Sequence, residues 1–193
     1  MTEKKKRIEQ LHRRIEACEN CDLSESRENA VPGEGNLNAR LFLIAQAPGT
    51  NEDREGRMFI GPSGNVLNQL LEASSIQRED FYMTNLVKCM LPHHRKPRDE
   101  EIQACSRYLD EEIDIIHPQV LVPLGWYSTR YLFQKYDIPV PKKISDAFAR
   151  LRWVQRADIK VFPLSHPAAL LYDTTLKDHV LTNYKKLRVL SQR

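Results

Sequence analysis

Apolar positions along the chain alternate between helical and strand-like spacing. Residues 2–17 carry Ile8, Leu11 and Ile15 on one face, the signature of an amphipathic helix. A loop over Val31-Pro32-Gly33-Glu34-Gly35-Asn36 follows. Arg40 to Gln46, with Leu-Phe-Leu-Ile at its centre, predicts a buried strand. A long loop rich in Pro, Gly and charge spans Ala47 to Pro62. Residues 63–74 predict a helix that buries Val66, Leu67, Leu70 and Leu71. Phe81 to Lys88 predicts a second strand, and the basic loop Pro92 to Arg98 leads into a helix over 99–116. Asp99 suits its N-cap, and Glu100 and Glu101 suit the positive end of its dipole. A third strand is expected over 120–125, a helix over 126–135 and a fourth strand over 161–164. A last helix, 174–190, shows a face of Leu176, Val180, Tyr184, Leu187 and Leu190. Residues 137–158 have no readable period.

Strands alternating with helices imply an α/β fold whose parallel sheet is covered on both sides. Ligands of such sheets bind beyond the carboxyl ends of the strands. Three of the four expected strands end in polar, loop-forming chemistry: Gln46-Ala47-Pro48-Gly49, Thr84-Asn85 and Ser165-His166-Pro167. That convergence predicts a site.

The 193 residues suit one domain, 1–193, large enough for a real core. The net charge of +3 excludes a histone-like basic protein, so any nucleic-acid surface must be local. No apolar run approaches the ~20 residues of a membrane span. The polar start, Met-Thr-Glu-Lys-Lys-Lys-Arg, lacks the apolar run of a signal peptide. The expected compartment is the cytoplasm, where cysteines serve as metal ligands or free thiols rather than disulfides.

Four cysteines change the picture. Cys18 and Cys21 form a C-x2-C pair closing the first helix, Cys89 ends the second strand, and Cys105 lies in the next helix. Four thiolates can hold one [4Fe–4S] cluster or one tetrahedral zinc, and the spacing does not choose between them. Cys105 also shares a face with Ile102, Leu109 and Ile113, as a plain core thiol would.

Several motifs occur in a telling order: Val31-Pro32-Gly33-Glu34-Gly35-Asn36; Ala45-Gln46-Ala47-Pro48-Gly49 with Glu52-Asp53 and Gly56; and Phe59-Ile60-Gly61-Pro62-Ser63-Gly64. Thr84-Asn85-Leu86-Val87-Lys88-Cys89 and His166-Pro167-Ala168-Ala169-Leu170-Leu171 complete the series. In order, spacing and cysteines, the chain from Cys18 to Leu171 resembles the family 4 uracil-DNA glycosylases. The resemblance implies a three-layer α/β/α sandwich around a short four-stranded parallel sheet. It also implies a [4Fe–4S] cluster on Cys18, Cys21, Cys89 and Cys105, pinning a loop rather than performing redox chemistry. The implied partner is uracil-containing DNA, single- or double-stranded, bound by a monomer.

The resemblance assigns roles that the chemistry makes intelligible. A base buried in the stack must be rotated into a pocket before its glycosidic bond can be cut. The Asn85 amide can accept from uracil N3–H and donate to O4, a pattern that cytosine reverses. Phe59 is expected to stack on the base, with Gln46 and Ala47 beside it. His166 is expected to stabilise the charge on the leaving uracil, and Glu52 to position water or the cationic sugar; Asp53 and Glu55 are expected to be solvated neighbours. Leu170 is expected to fill the hole left by the flipped base. Ser165, the helix-opening Ser63 and Gly64, and the basic loop of Arg95, Lys96 and Arg98 are expected to meet phosphates.

Three positions depart from the family pattern: Ala45 stands where a glycine is usual, Gln46 where a glutamate is usual, and Tyr172 where an arginine follows the Leu-Leu pair. Gln46 resembles the glutamine of the family 1 enzymes, but the aspartate that follows it there is absent, and Ala47 stands in its place. These changes keep two alternatives open: a preference for other deaminated bases, and a non-catalytic nucleic-acid-binding metalloprotein on the same scaffold. A zinc-stabilised phosphate-binding enzyme, which would be colourless where an iron–sulfur protein is brown, is a third reading.

Overall fold

The structure is a computed structural model and describes residues 2–191. Its helices are α1 (Glu3–Glu16), α2 (Leu23–Ser26), α3 (Thr50–Glu55), α4 (Pro62–Glu72), α5 (Asp99–Ile116), α6 (Trp126–Lys135), α7 (Ala169–Tyr172), α8 (Lys177–Lys185) and α9 (Leu187–Ser191). Its strands are β1 (Glu34–Gly35), β2 (Leu41–Ala45), β3 (Phe81–Asn85), β4 (Val120–Pro123), β5 (Arg152–Val154) and β6 (Ile159–Val161). No helix among the described residues is long and apolar enough to cross a membrane.

The strands form one sheet in the order β1-β3-β2-β4-β6-β5. The four inner strands are parallel and correspond to those expected from the sequence. The expectation of a four-stranded, purely parallel sheet is corrected by two antiparallel edges, β1 on β3 and β5 on β6. Neither edge has a readable period. β1 is two residues inside a glycine-bearing loop, and β5 lies in the irregular 137–158 stretch with Trp153 facing solvent.

Alternation along β2 divides the core. Phe42 and Ile44 pack with Ile8, Leu11 and Ile15 of α1, Leu109 and Ile113 of α5, and Leu132 and Phe133 of α6. Leu41, Leu43 and Ala45 pack on the other face with Leu67, Leu70 and Leu71 of α4, Val180 and Tyr184 of α8, and Leu187 of α9. All five β2 residues are buried because both faces are covered, and so the strand reads as a continuous apolar run.

Helix boundaries depart in detail. Arg98, not Asp99, is the N-cap of α5, and Glu101 in its first turn accepts from the Arg98 N–H at 2.7 Å. The expected long final helix is a 3-10 turn followed by α8 and α9. The loop after β2 contains α3, which is too short to show a period.

Candidate active site and cysteine cage

Parallel register brings the expected residues together. Ala45 at the end of β2 pairs with Asn85 at the end of β3. A bridge between Leu124 and Leu164 extends β4 and β6, setting His166 two residues beyond it. Gly125, beneath His166, has φ +82, a conformation that favours glycine.

Asn85, His166, Glu52, Phe59, Ala47 and Ser63 line one hollow of about 270 Å³ of empty space. The hollow shares Ala47, Glu52, Ser63 and His166 with a wide cleft rimmed by Gln46, His94, Arg95, Leu171 and Tyr172. Gln46 therefore borders the outer cleft and not the inner hollow.

Each inner residue is held. Asn85 is buried, and its amide nitrogen donates to the Met58 sulfur at 3.1 Å. Glu52 is only 8 % exposed, and its Oε1 accepts from the Gly61 N–H at 2.7 Å. A Cβ on Gly49 would stand 2.7 Å from the other Glu52 oxygen, so a side chain there would displace the carboxylate. Phe59 adopts φ +52, an unusual conformation for an aromatic residue. The carbonyl of Phe59 occupies the space that a side chain on Gly64 would need.

His166 Nδ1 accepts from the Ala168 N–H at 3.1 Å, which leaves Nε2 to carry the proton of the neutral ring. Burial pushes the imidazole down to about 4, so it is neutral near pH 7. Its centroid lies 6.2 Å from that of Phe59. The arrangement offers an amide, a neutral N–H donor, a carboxylate and an aromatic face to one planar ligand.

Other expected residues sit elsewhere. Gly64 is buried and lines neither space, its role being the close approach of Phe59. The Ser165 hydroxyl is buried, with no hydrogen-bond partner among the described residues, and is not turned toward the cleft. Arg95 lines the cleft but is bound at both nitrogens by Glu101, and Lys96 and Arg98 are exposed. Leu170 is half-buried against the second core, while Leu171 and Tyr172 project over the cleft. The expectation of a solvated Asp53 is corrected: it is 2 % exposed and accepts from the Glu28 N–H at 3.0 Å and the Asn29 N–H at 3.4 Å, tying down the preceding loop. Glu55 is exposed and pairs with Arg54.

All four cysteines line a second hollow, about 330 Å³ of empty space, with Ile15, Leu23, Val87 and Tyr108 in its walls. None is in a disulfide. Three thiols receive N–H donors: Cys18 from Asn20 at 2.8 Å, Cys89 from Arg27 at 3.2 Å and Cys105 from the Lys88 main chain at 3.2 Å. Burial pushes Cys105 up to about 12 and raises Cys89 as well. At Cys18 burial also acts upward, but the Tyr108 hydroxyl and Asn20 outweigh it and lower the thiol. Among the described residues, no three His, Cys, Asp or Glu side chains are grouped tightly enough for a single metal ion. Four thiols around an apolar hollow, with N–H donors at the sulfurs, fit a larger thiolate-bound group.

Met58 and a buried network of Lys88, Glu112 and Thr84 join these residues, beyond those to which the motifs assign a role. A signal for the network existed: Lys88 interrupts an apolar run, and Glu112 falls on the apolar face of α5 with Cys105, Leu109 and Ile116.

Fold and site together define an α/β protein with a small hollow where its parallel strands end, beside a thiol cage. The chain belongs to the uracil DNA glycosylase superfamily, whose family model matches residues 32–188. It is 40% identical to a type-4 uracil-DNA glycosylase of Sulfurisphaera tokodaii, over 95% of this chain and 84% of that protein. It is 36% identical to a type-4 uracil-DNA glycosylase of Thermotoga maritima, over 94% of this chain and 93% of that protein. Similarity extends to a type-5 uracil-DNA glycosylase of Pyrobaculum aerophilum, 31% identical over 75% of this chain and 68% of that protein.

Proposed function

We propose that the chain is a DNA repair hydrolase that rotates uracil out of DNA and cuts its N-glycosidic bond, leaving an abasic site. The observation that carries this reading is the single hollow lined by Asn85, His166 and Glu52. Phe59 offers its ring to the extruded base, and the Asn85 amide reads N3–H and O4. The neutral His166 donates from Nε2 to uracil O2 as negative charge develops there; such a donor is typically worth about 3 kcal/mol. Glu52, fixed by Gly61, faces the sugar side, where a carboxylate can hold water and stabilise positive charge.

Cys18, Cys21, Cys89 and Cys105 are the residues that would hold a [4Fe–4S] cluster. Bound there, the group would supply a structural tie joining the end of α1, the loop after β3 and helix α5. The outer cleft, with Ser63, Arg95, Leu171 and Tyr172, would take the DNA strand. We read residues 1–193 as one domain, supported by the single sheet that both cores share, and we take it to act as a monomer in the cytoplasm.

The place of Gln46 favours catalysis over a decayed binding protein. It borders the outer cleft, so a glutamine there leaves the three inner groups intact. The test is release of free base from single-stranded and duplex oligonucleotides carrying uracil, hypoxanthine or xanthine. Uracil is expected to leave fastest. A faster release of either purine moves the assignment to that base, and no release of any base removes the enzymatic reading.

A further inference from the structure

Lys88 is an ammonium only 1 % exposed, and the proposed chemistry makes no use of its charge. It lies between the two hollows, lining the cysteine cage three residues after Asn85. All three of its donors are engaged. Nζ donates to the Asn85 carbonyl at 2.9 Å, to Glu112 Oε2 at 2.7 Å and to the Thr84 hydroxyl oxygen. Fully buried Glu112 accepts the Thr84 hydroxyl at 2.8 Å on the same oxygen and the Gly33 N–H at 3.0 Å on the other. The Lys88 main chain is held as firmly: its N–H donates to Cys105 Sγ at 3.2 Å, and its carbonyl accepts from the Val31 N–H at 2.8 Å.

Buried ion pairs are poor sources of stability, because desolvation offsets the attraction; an apolar pair of similar volume often serves as well. What this pair supplies is geometry. Asn85 ends a strand, and the peptide that follows it is held by the sheet on one side only, its Leu86 N–H donating to the Ala45 carbonyl at 2.9 Å. Lys88 folds back onto the Asn85 carbonyl and anchors it to α5, the helix that carries both Glu112 and Cys105.

We propose that Lys88 is a positioning residue for base recognition: with Glu112 it fixes the Asn85 peptide, and so the reading amide, against the wall of the cysteine cage. This inference rests on the glycosylase reading. A displacement of about 1 Å at a reacting group can cost up to ~10²-fold in rate, so a loosened Asn85 is expected to show in turnover rather than in DNA affinity.

Lys88→Met alone would strand a buried carboxylate, so the test pairs it with Glu112→Gln. Thr84→Val, which keeps the ion pair but removes the hydroxyl seating Nζ, is made as a second variant. Both proteins, isolated with their metal group, are compared with the native chain for iron content, visible spectrum, kcat, KM and uracil-over-cytosine preference. The double variant is expected to keep its iron and spectrum, lose about 10- to 100-fold in kcat with little change in KM, and discriminate less sharply. Thr84→Val is expected to show the same pattern more weakly, and it alone decides if the double variant does not fold. Native kcat in an iron-loaded variant, or activity lost only in proportion to iron, overturns the role of Lys88. Absence of uracil release by the native chain overturns the glycosylase reading instead.

Discussion

The Asn85 amide nitrogen donates to the Met58 sulfur across 3.1 Å of buried space. A thioether accepts and never donates, so the amide's NH₂ end faces Met58. One N–H then remains for uracil O4, and the carbonyl end is left to accept from N3–H. An amide turned by 180° would suit cytosine, and the sulfur opposes that turn. Met58→Leu keeps the volume and removes the acceptor. Its expected effect is a several-fold slower release of uracil together with measurable release of cytosine, checked by single-turnover assays on matched oligonucleotides. Unchanged discrimination would mean that the amide is oriented by another group.

The state of His166 sets a pH signature. Because burial holds the ring near 4, lowering the pH through 6.5 leaves it neutral. The kcat/KM profile, which reports the free enzyme, is expected to show no inflection near 6.5. Stability behaves differently. The unfolded chain binds this proton first, so the His166 contribution is complete above 6.5 and is lost progressively as pH falls toward 4. It amounts to at most about 3 kcal/mol. Thermal melts of the native protein and His166→Ala across pH 4–7 check the sign: the native advantage shrinks toward acid. His166→Ala is also expected to lower the rate at pH 7 by at least ~10²-fold.

Much of this is legible in the sequence itself. The inner parallel strands follow from apolar runs bounded by turn chemistry, and motif order placed Asn85, His166, Glu52 and Phe59 at one end of the sheet. The edges escaped because β1 is two residues long and the one strand position of β5 that faces solvent carries a tryptophan. Asp53 escaped for a different reason: a charged residue in a charged loop gives no sign that two main-chain N–H groups await it. The contrast between Leu170 and Leu171 was likewise invisible, because adjacent leucines on a short turn differ only in where the turn points them.

That contrast is testable. Leu170 packs on the second core, whereas Leu171 is 47 % exposed at the cleft. Leu170→Ala is expected to lower thermal stability by ~1–3 kcal/mol, below the usual cost for a fully buried leucine. Leu171→Ala is expected to leave the melt unchanged and to slow release from duplex more than from single strands, since only the duplex must be held open. Melting curves and the duplex-to-single-strand rate ratio decide between them.

The cage makes its own prediction. Cys89 receives a hydrogen bond from Arg27 and follows Lys88 in the loop after β3. Cys89→Ala is expected to lose iron and solubility together, leaving a colourless protein; iron analysis on the purified variant checks this. A soluble, fully loaded Cys89→Ala protein would show that this thiol is not a ligand, and zinc in place of iron in the native protein would replace the cluster by a mononuclear site.

The central claim is that three side chains surround one extruded base. A crystal structure of the protein with abasic DNA and free uracil tests it most directly. Uracil is expected in the inner hollow, N3 and O4 against the Asn85 amide, O2 within hydrogen-bond reach of His166 Nε2, and Glu52 on the sugar side. Uracil bound elsewhere, or seated with O2 turned away from His166, would contradict it.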